Sequence, residues 1–139
     1  MQAGIDRQIA FLMEIDRLKS VIRRSPLIDK SRRENAAEHS WHLALYALIL
    51  AQYADAPVDT GRVIQMLLVH DLVEIDAGDT SIHMNTPQAA QAEREAAAAE
   101  RLFGMLPDAQ GRELHALWSS RPACRPTPVL PRRWTACSR

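Results

Sequence analysis

A histidine and an aspartate stand side by side at the end of an apolar segment in the middle of this 139-residue chain, as His70 and Asp71. Another histidine, His39, lies in an earlier and equally apolar segment. Burying such groups is costly unless they are paired or bound to a metal. Two apolar helices that present them can bind a cation, and these donors suit Mn, Fe, Co or Zn, with Mg less favoured. Alternatively, both histidines are core residues satisfied by hydrogen bonds.

Three acids follow the histidine–aspartate pair at short spacing, as Glu74, Asp76 and Asp79. Glu74 comes one helical turn after His70 and Asp71 and should share their face. Hydrolysis by activated water needs a nearby carboxylate to move protons, which Glu74 and Asp79 could do. Acids at a helix C-terminus are unfavourable against the helix dipole, so this cluster predicts a compensating cation. The alternative is a solvated helix end.

Two adjacent arginines, Arg32 and Arg33, precede the His39 segment. A guanidinium group matches phosphate oxygens in a bidentate manner, so these residues are candidate phosphate contacts. The alternative is a solvated basic loop. The aromatic side chains of Trp41 and Trp118 are expected in the core rather than stacked on a substrate.

The elements that must position these groups are predicted to be helices. Apolar residues recur at steps of three and four, Asn35 and Asp59 or Thr60 can cap helices, and Gly78 can end one. The predicted helices cover about residues 5–24, 36–54, 61–75, 88–106 and 107–118, with a loop over 25–34. The second is apolar nearly all round, which predicts a central, buried helix. No strand-like alternation stands out, so we expect an all-α bundle of about five helices.

Composition narrows the functional classes. Lysine plus arginine and aspartate plus glutamate both total 17, and this neutral balance argues against general nucleic-acid binding. The longest apolar run, residues 43–51, is too short to span a bilayer, and the N-terminus does not resemble a signal peptide. Cys124 and Cys137 suggest no disulfide framework. We therefore expect a soluble cytoplasmic protein without a membrane partner.

The character of the chain changes after Trp118. Residues 119–139 contain four prolines, five arginines and no acid, and they show no helical or strand period. The expected organisation is one helical domain over residues 1–118, C-terminally incomplete, followed by an irregular tail over 119–139. We interpret this tail as the product of a reading-frame change, with a naturally divergent disordered tail as the alternative.

Two motifs together resemble a known family. The pattern R-x-N-x-x-EHSW, from Arg33 to Trp41, is followed by HDLVEIDAGD, from His70 to Asp79. This combination is similar to the HD-domain superfamily, and more narrowly to its branch of bacterial 5′-deoxynucleotidases and related hydrolases. The resemblance covers about residues 8–118.

The resemblance implies an all-helical fold, a tendency to dimerise and one divalent metal ion (Mn, Co, Fe, Zn or Mg). It implies His39, His70 and Asp71 as metal ligands, with Glu74 and Asp79 positioning water and handling protons. It also implies that Arg33, with Arg32 adjacent, contacts the substrate phosphate. The expected reaction is hydrolysis of a nucleotide phosphomonoester, most simply a (deoxy)nucleoside 5′-monophosphate, by metal-activated water.

The chain departs from the family at the last metal ligand, an aspartate expected on a later helix about twenty residues beyond Trp118. No aspartate or glutamate follows Glu113. Three other interpretations therefore remain open. The chain could be a degenerate HD domain that binds metal or nucleotide with little turnover, an HD-type phosphodiesterase or alarmone hydrolase, or a purely structural bundle.

Overall fold

Helices and one short hairpin build residues 2–79 and 88–120, the part of the chain that this computed structural model describes. Five helices in that part have ten or more residues, which confirms the expected all-α bundle. The elements are α1 (Gln2–Ile15), β1 (Ile22–Pro26), β2 (Arg33–Asn35), α2 (Ala36–Leu50), α3 (Thr60–Val69), α4 (Glu74–Ala77), α5 (Gln88–Gly104) and α6 (Asp108–Ser119), with 3₁₀ turns at Asp16–Ser20 and Ala51–Tyr53.

The predicted boundary before residue 119 falls close to the end of α6, which includes Ser119. Residues 121–139, with nearly all of the predicted tail, lie outside the described residues. Its interpretation as a reading-frame change therefore stays a hypothesis. Among the described residues, no helix combines the length and the apolar character that crossing a membrane requires.

The first helix is shorter than predicted and buries a different face. It ends at Ile15, and a 3₁₀ turn leads into β1 rather than a helix to residue 24. Ile5, Ile9 and Leu12, from the predicted apolar stripe, are 45%, 51% and 61% exposed, whereas Phe11 is buried. The side that faces the protein also carries Arg7, whose guanidinium binds carbonyl oxygens at the end of α5. Polar contacts thus orient α1 as much as its apolar residues do.

A two-stranded antiparallel hairpin replaces most of the predicted loop. The strands β1 and β2 pair with an irregular register, Ile22 opposite Asn35 and Pro26 opposite Arg33. Lys30 closes the turn with its amide on the carbonyl of Leu27 and has a positive φ of 60°. Period-two alternation was missing because the strands are short and mostly exposed, with no repeated apolar face.

Small residues form the buried face of α2, as Ala36, Ser40, Ala44 and Ala47. They allow α2 to pack along α3. The opposite face carries Trp41, which is 60% exposed, so the expectations of a wholly buried helix and of Trp41 in the core are wrong. Trp118 is buried, as expected. Because α2 has apolar residues on nearly all sides, its sequence did not show which face is buried. The buried face is the one with small side chains, which allow α3 to approach closely.

The third predicted helix is interrupted at the chemically interesting residues. Helix α3 ends at Val69, and α4 begins only at Glu74. Between them the backbone tightens: the amides of Leu72 and Glu74 bind carbonyls three residues back, those of Val69 and Asp71. Gly78 ends α4 with φ 76° and ψ 165°, a conformation that favours glycine, as the sequence predicted for the helix stop.

The core lies where α5 and α6 meet the α3–α4 segment. Leu102, Phe103 and Val73 are its most deeply buried side chains of substantial volume, and Trp118 packs near Phe103 with ring centroids 6.4 Å apart. This core supports the α3–α4 segment from one side and leaves His70 and Asp71 on the side of α2 and β1.

Candidate metal centre

Three side chains from two elements converge between α2 and the end of α3. His39, His70 and Asp71 each offer one ligand atom, and these atoms lie within 4.8 Å of one another. The two imidazole centroids are 5.9 Å apart. The tertiary fold therefore brings His39 next to the His70–Asp71 pair, which lies about thirty residues later in the chain.

The hydrogen bonds of His70 define which of its nitrogens is available. Its Nδ1 is 2.6 Å from the carbonyl oxygen of Leu67, which only accepts, so Nδ1 carries the proton. In the neutral ring Nε2 then has a lone pair, and it lies 3.0 Å from Oδ1 of Asp71. Two acceptors at that separation repel each other unless a proton or a metal ion compensates them.

His39 is constrained in a similar way from the hairpin. Its Nδ1 is 3.0 Å from Oε1 of Glu34, so an ionised Glu34 accepts a hydrogen bond from a protonated Nδ1. Burial lowers the pKa of His39, and the nearby charge of Arg23 lowers it further. The ring is thus favoured in its neutral form, with the Nε2 lone pair available to a cation.

Local structure fixes the start of α2, on which His39 lies. Asn35 caps the helix through its side chain, which accepts from the Glu38 amide at 2.9 Å. Glu38 reciprocates by accepting from the Asn35 amide at 3.1 Å, which completes a capping box. His39 is the next residue, so the cap sets its height along the helix axis. Asn35 as the cap was predicted from the sequence.

Arg23, on β1, is the principal residue of this site that sequence reasoning missed. Its Nη1 is 2.8 Å from Oδ2 of Asp71 and 3.5 Å from Oε2 of Glu74. Its Nε lies 3.8 Å from Oε1 of Glu34. The arginine was assigned to a helix, and Glu34 to a loop, so neither was placed near the His–Asp pair. Pairing of the two strands is what brings both residues there.

Two of the predicted acids are deeply buried, since Glu74 is 7% exposed and Asp79 2% exposed. Burial and the neighbouring charge of Asp71 raise the pKa of Glu74 to about 8, while Arg23 opposes this effect. Asp79 and Glu95 raise it to a smaller extent. A carboxyl group with such a pKa can hold a proton near neutral pH and release it to a leaving group or base.

Asp76 does not belong to this buried cluster. Its carboxylate forms an ion pair with the guanidinium group of Arg101, in which Nη2 is 2.9 Å from Oδ1 of Asp76. Arg101 also donates to Glu14 at 2.8 Å and so connects α1, α4 and α5. The expectation that a bound cation compensates all three acids is therefore corrected for Asp76, because an arginine of the protein does so.

The structure places the two predicted phosphate-binding arginines at the exposed start of α2. Arg32 makes a bidentate ion pair with Glu38, at 2.9 Å and 2.6 Å, and its side chain is 55% exposed. Arg33 is exposed on β2. Their contact with phosphate remains a prediction.

The donor set fits a divalent cation. Two imidazole Nε2 atoms and one carboxylate oxygen are hard-to-borderline ligands suited to Mn, Fe, Co or Zn. The 3.0 Å contact between His70 Nε2 and Asp71 Oδ1 resembles the separation of adjacent ligands around one ion, given metal–ligand bonds of about 2.0–2.2 Å. Carboxylates that remain buried beside the triad would add to the attraction for a cation.

Comparisons with known proteins find relatives described as phosphohydrolases or 5′-deoxynucleotidases. A crystal structure described as a predicted metal-dependent phosphohydrolase from Magnetospirillum magnetotacticum is 54% identical, with a TM-score of 0.76, over 84% of this chain and 59% of that one. The 5′-deoxynucleotidase of Citrobacter koseri is 33% identical over 73% of this chain. The human 5′-deoxynucleotidase HDDC2 is 28% identical over 83% of this chain.

The chain spans about half the length of these curated relatives, 55% in both cases. The family model described as "HD domain" matches residues 15–121, which include the hairpin, the histidines and the buried acids. On that match, and on the convergence of His39 with the His70–Asp71 pair, the chain belongs to the HD domain family.

Proposed function

We propose that this protein is a metal-dependent phosphohydrolase that removes phosphate from a nucleotide, most simply a (deoxy)nucleoside 5′-monophosphate. One observation carries the proposal: lone-pair atoms of His39, His70 and Asp71 converge within 4.8 Å while the outer nitrogens of both rings are committed to other acceptors. Such an arrangement suits metal binding better than it suits a pair of core histidines.

In this proposal His39, His70 and Asp71 bind the metal. A divalent cation there supplies Lewis acidity toward a phosphoryl oxygen and toward the attacking water. Glu74, whose pKa is raised to about 8 in the metal-free protein by burial and by the charge of Asp71, serves as the proton donor or acceptor beside them. Asp79, which is buried and lies two residues beyond the end of α4 at Ala77, orients water or substrate hydroxyl groups.

Positive charge for the phosphate has two candidate sources. Arg23 already lies 2.8 Å from a triad oxygen and could exchange this partner for a phosphate oxygen. Arg33, with Arg32 beside it, could approach from the exposed start of α2. Two single variants, Arg23→Met and Arg33→Met, distinguish these candidates. Replacement of the arginine that binds phosphate should raise KM at least tenfold, whereas replacement of the other arginine should change KM little.

The named activities of the relatives support the substrate class. Two of the proteins compared are 5′-deoxynucleotidases, and the chain with the solved structure is described as a phosphohydrolase. Because the present chain spans about half of the curated relatives, the transfer of their substrate remains part of the proposal.

The decisive experiment is phosphate release from a panel of nucleoside and deoxynucleoside 5′-monophosphates, with Mn²⁺, Co²⁺, Mg²⁺ or Zn²⁺ added to chelator-treated protein. We expect release that depends on metal and is reduced at least a hundredfold by His70→Ala. His115→Ala is the matched control, since His115 lies on α6, outside the triad. Metal-independent release, or equal loss in both variants, would contradict the proposal.

A second candidate function is binding of metal and nucleotide with little turnover. It is favoured by one sequence feature, the absence of any aspartate or glutamate after Glu113, where the family places its last ligand. Three ligands leave a cation with more open positions and weaker binding. Stoichiometric metal binding without phosphate release from any nucleotide in the panel would favour this candidate.

A further inference from the structure

Glu34 lies at a junction between the hairpin and the metal triad. Its Oε1 is 3.0 Å from Nδ1 of His39 and accepts a hydrogen bond from the Ser25 hydroxyl at 2.7 Å. The guanidinium Nε of Arg23 is 3.8 Å away. The Glu34 side chain is only 13% exposed, so these contacts operate with little competition from water.

The contact with His39 has a chemical consequence that the other contacts lack. A neutral imidazole carries its proton on one nitrogen, and only the other nitrogen can bind a metal. An ionised carboxylate beside Nδ1 holds the proton there and leaves the lone pair on Nε2. The backbone carbonyl of Leu67 performs the same task for His70, at 2.6 Å. The two histidines are therefore held in matching tautomers by different partners, one a charged side chain and one a carbonyl group.

We propose that Glu34 is a positioning residue, which fixes the tautomer and ring orientation of His39 so that its Nε2 faces the metal triad. The inference rests on the proposed metal site and deepens it. Ser25 and Arg23 of β1 also contact this carboxylate, which links Glu34 to the first strand of the hairpin. Outer carboxylates of this kind change metal affinity by about 10–100-fold when removed.

The first measurement concerns the metal-free protein and needs no activity. The ¹⁵N chemical shifts of the imidazole ring at neutral pH report which nitrogen of His39 is protonated. We expect a single tautomer with the proton on Nδ1 in the unmodified protein and a mixture of tautomers in Glu34→Ala. A ring that carries its proton on Nε2 in the unmodified protein, or the same single tautomer in both proteins, overturns the inference.

The second measurement is the affinity for Co²⁺ or Mn²⁺ by calorimetric titration. Glu34→Ala should weaken binding about 10–100-fold. Glu34→Gln should weaken it less, because the amide oxygen can still accept from Nδ1 although the charge is lost. The isosteric glutamine also keeps the test valid if the alanine variant fails to fold. Unchanged affinity in a folded Glu34→Gln and Glu34→Ala pair contradicts the inference.

Two matched variants distinguish a positioning role of Glu34 from an effect on hairpin stability and from a general effect of negative charge. Ser25→Ala removes the cross-strand hydrogen bond to Glu34 without touching His39, so it should change metal affinity less than twofold. Glu38→Gln removes the charge of a second glutamate near His39, while its amide oxygen can still accept from the Asn35 amide, so it should likewise keep the affinity. Equal loss in either variant would mean that Glu34 acts only through hairpin stability or general electrostatics. If the unmodified protein binds no metal, that result contradicts the proposed function. The tautomer measurement on the metal-free protein still tests whether Glu34 fixes the tautomer of His39.

Discussion

Buried carboxylates beside a single arginine set the electrostatics of the site. Asp71 and Glu74 are each 7% exposed, and Arg23 contacts both. Removing ions from water is costly, and one guanidinium cannot fully compensate two carboxylates. The pKa of Glu74, raised to about 8, follows from this imbalance. We therefore expect the stability of the metal-free protein to depend on pH and on added cations through these same residues.

The pH dependence of stability follows from the pKa of Glu74. Since its pKa is about 8 in the folded protein and 4.5 ordinarily, the folded state binds more protons between these values. The free energy of unfolding of the metal-free protein should then fall as pH rises from 4.5 to 8, by up to roughly 1.4 kcal/mol per pH unit from this group. Urea unfolding at a series of pH values measures this slope.

The matched variant for that measurement is Glu74→Gln, which cannot ionise. Its stability should vary less with pH over the same window and should exceed that of the unmodified protein at the alkaline end. Parallel pH profiles for the two proteins would show that Glu74 is not the group responsible.

Removing Arg23 should destabilise the metal-free protein because it leaves the buried carboxylate of Asp71 without its cation and removes a polar partner of Glu74. We expect Arg23→Met to lower the free energy of unfolding by about 2–4 kcal/mol at neutral pH. Arg62→Met, at an exposed position of α3, should change it by less than about 0.5 kcal/mol. Urea midpoints compare the two variants, and similar midpoints would refute the role given to Arg23.

At the scale of the elements, Arg7 is one of the side chains that attach the first helix to the rest of the protein. Arg7 donates to the carbonyl oxygens of Gly104 and Met105, each at 3.0 Å, and also to that of Leu106. These carbonyls lie at and after the end of α5, where helical partners are missing. Arg7 thus completes the C-terminus of α5 while it fixes which face of α1 meets the protein.

Loss of this contact is expected to loosen α1. Arg7→Met keeps the aliphatic stem but removes the donors, and it should cost about 1–2 kcal/mol of unfolding free energy. Amide hydrogen exchange should rise in α1 before it rises in α6. Arg94→Met, an exposed change on α5, serves as the control and should leave both measurements unaltered.

Close packing of α5 against α6 depends on Gly111. A Cβ at this position would lie 2.4 Å from the carbonyl oxygen of Phe103, a separation that forces the backbone to shift. Gly111→Ala should therefore destabilise the protein by about 2 kcal/mol or more, even though alanine favours a helix by about 1 kcal/mol. At Gly104 a Cβ meets nothing within 4 Å, so Gly104→Ala should be neutral or slightly stabilising. Thermal unfolding of both variants tests the contrast.

For the whole molecule, metal binding and folding should be linked, because the triad joins α2 to the end of α3. A cation that binds only the folded state adds about 2.7 kcal/mol at one hundred times its Kd. We expect Mn²⁺ or Co²⁺ at such concentrations to raise Tm by roughly 5–10 °C, and a chelator to reverse the change. His39→Ala should abolish the increase. An equal increase in His39→Ala would indicate binding elsewhere.

Several features could be predicted because they depend on neighbouring residues. The cap at Asn35, the stop at Gly78 and the helical character of most segments follow from local backbone chemistry. The two motifs around His39 and His70 indicated the family, and the family model that matches residues 15–121 confirms it. The roles of the individual site residues remain predictions.

Other features were decided only by the tertiary structure. The pairing of β1 with β2 and the exposure of Trp41 depend on contacts between residues that are not neighbours in the chain. Local propensity contains no information on such contacts.

His70 and Asp71 also show which properties the sequence determined and which the tertiary structure determined. Their types and spacing predicted a metal ligand set from the sequence alone. Which nitrogen of each ring is available, and which carboxylate and arginine surround them, required the fold to bring Arg23 and Glu34 within hydrogen-bonding or ion-pairing range. Hydrogen bonds and ion pairs act over a few ångströms in space, so separation along the chain could not reveal these partners.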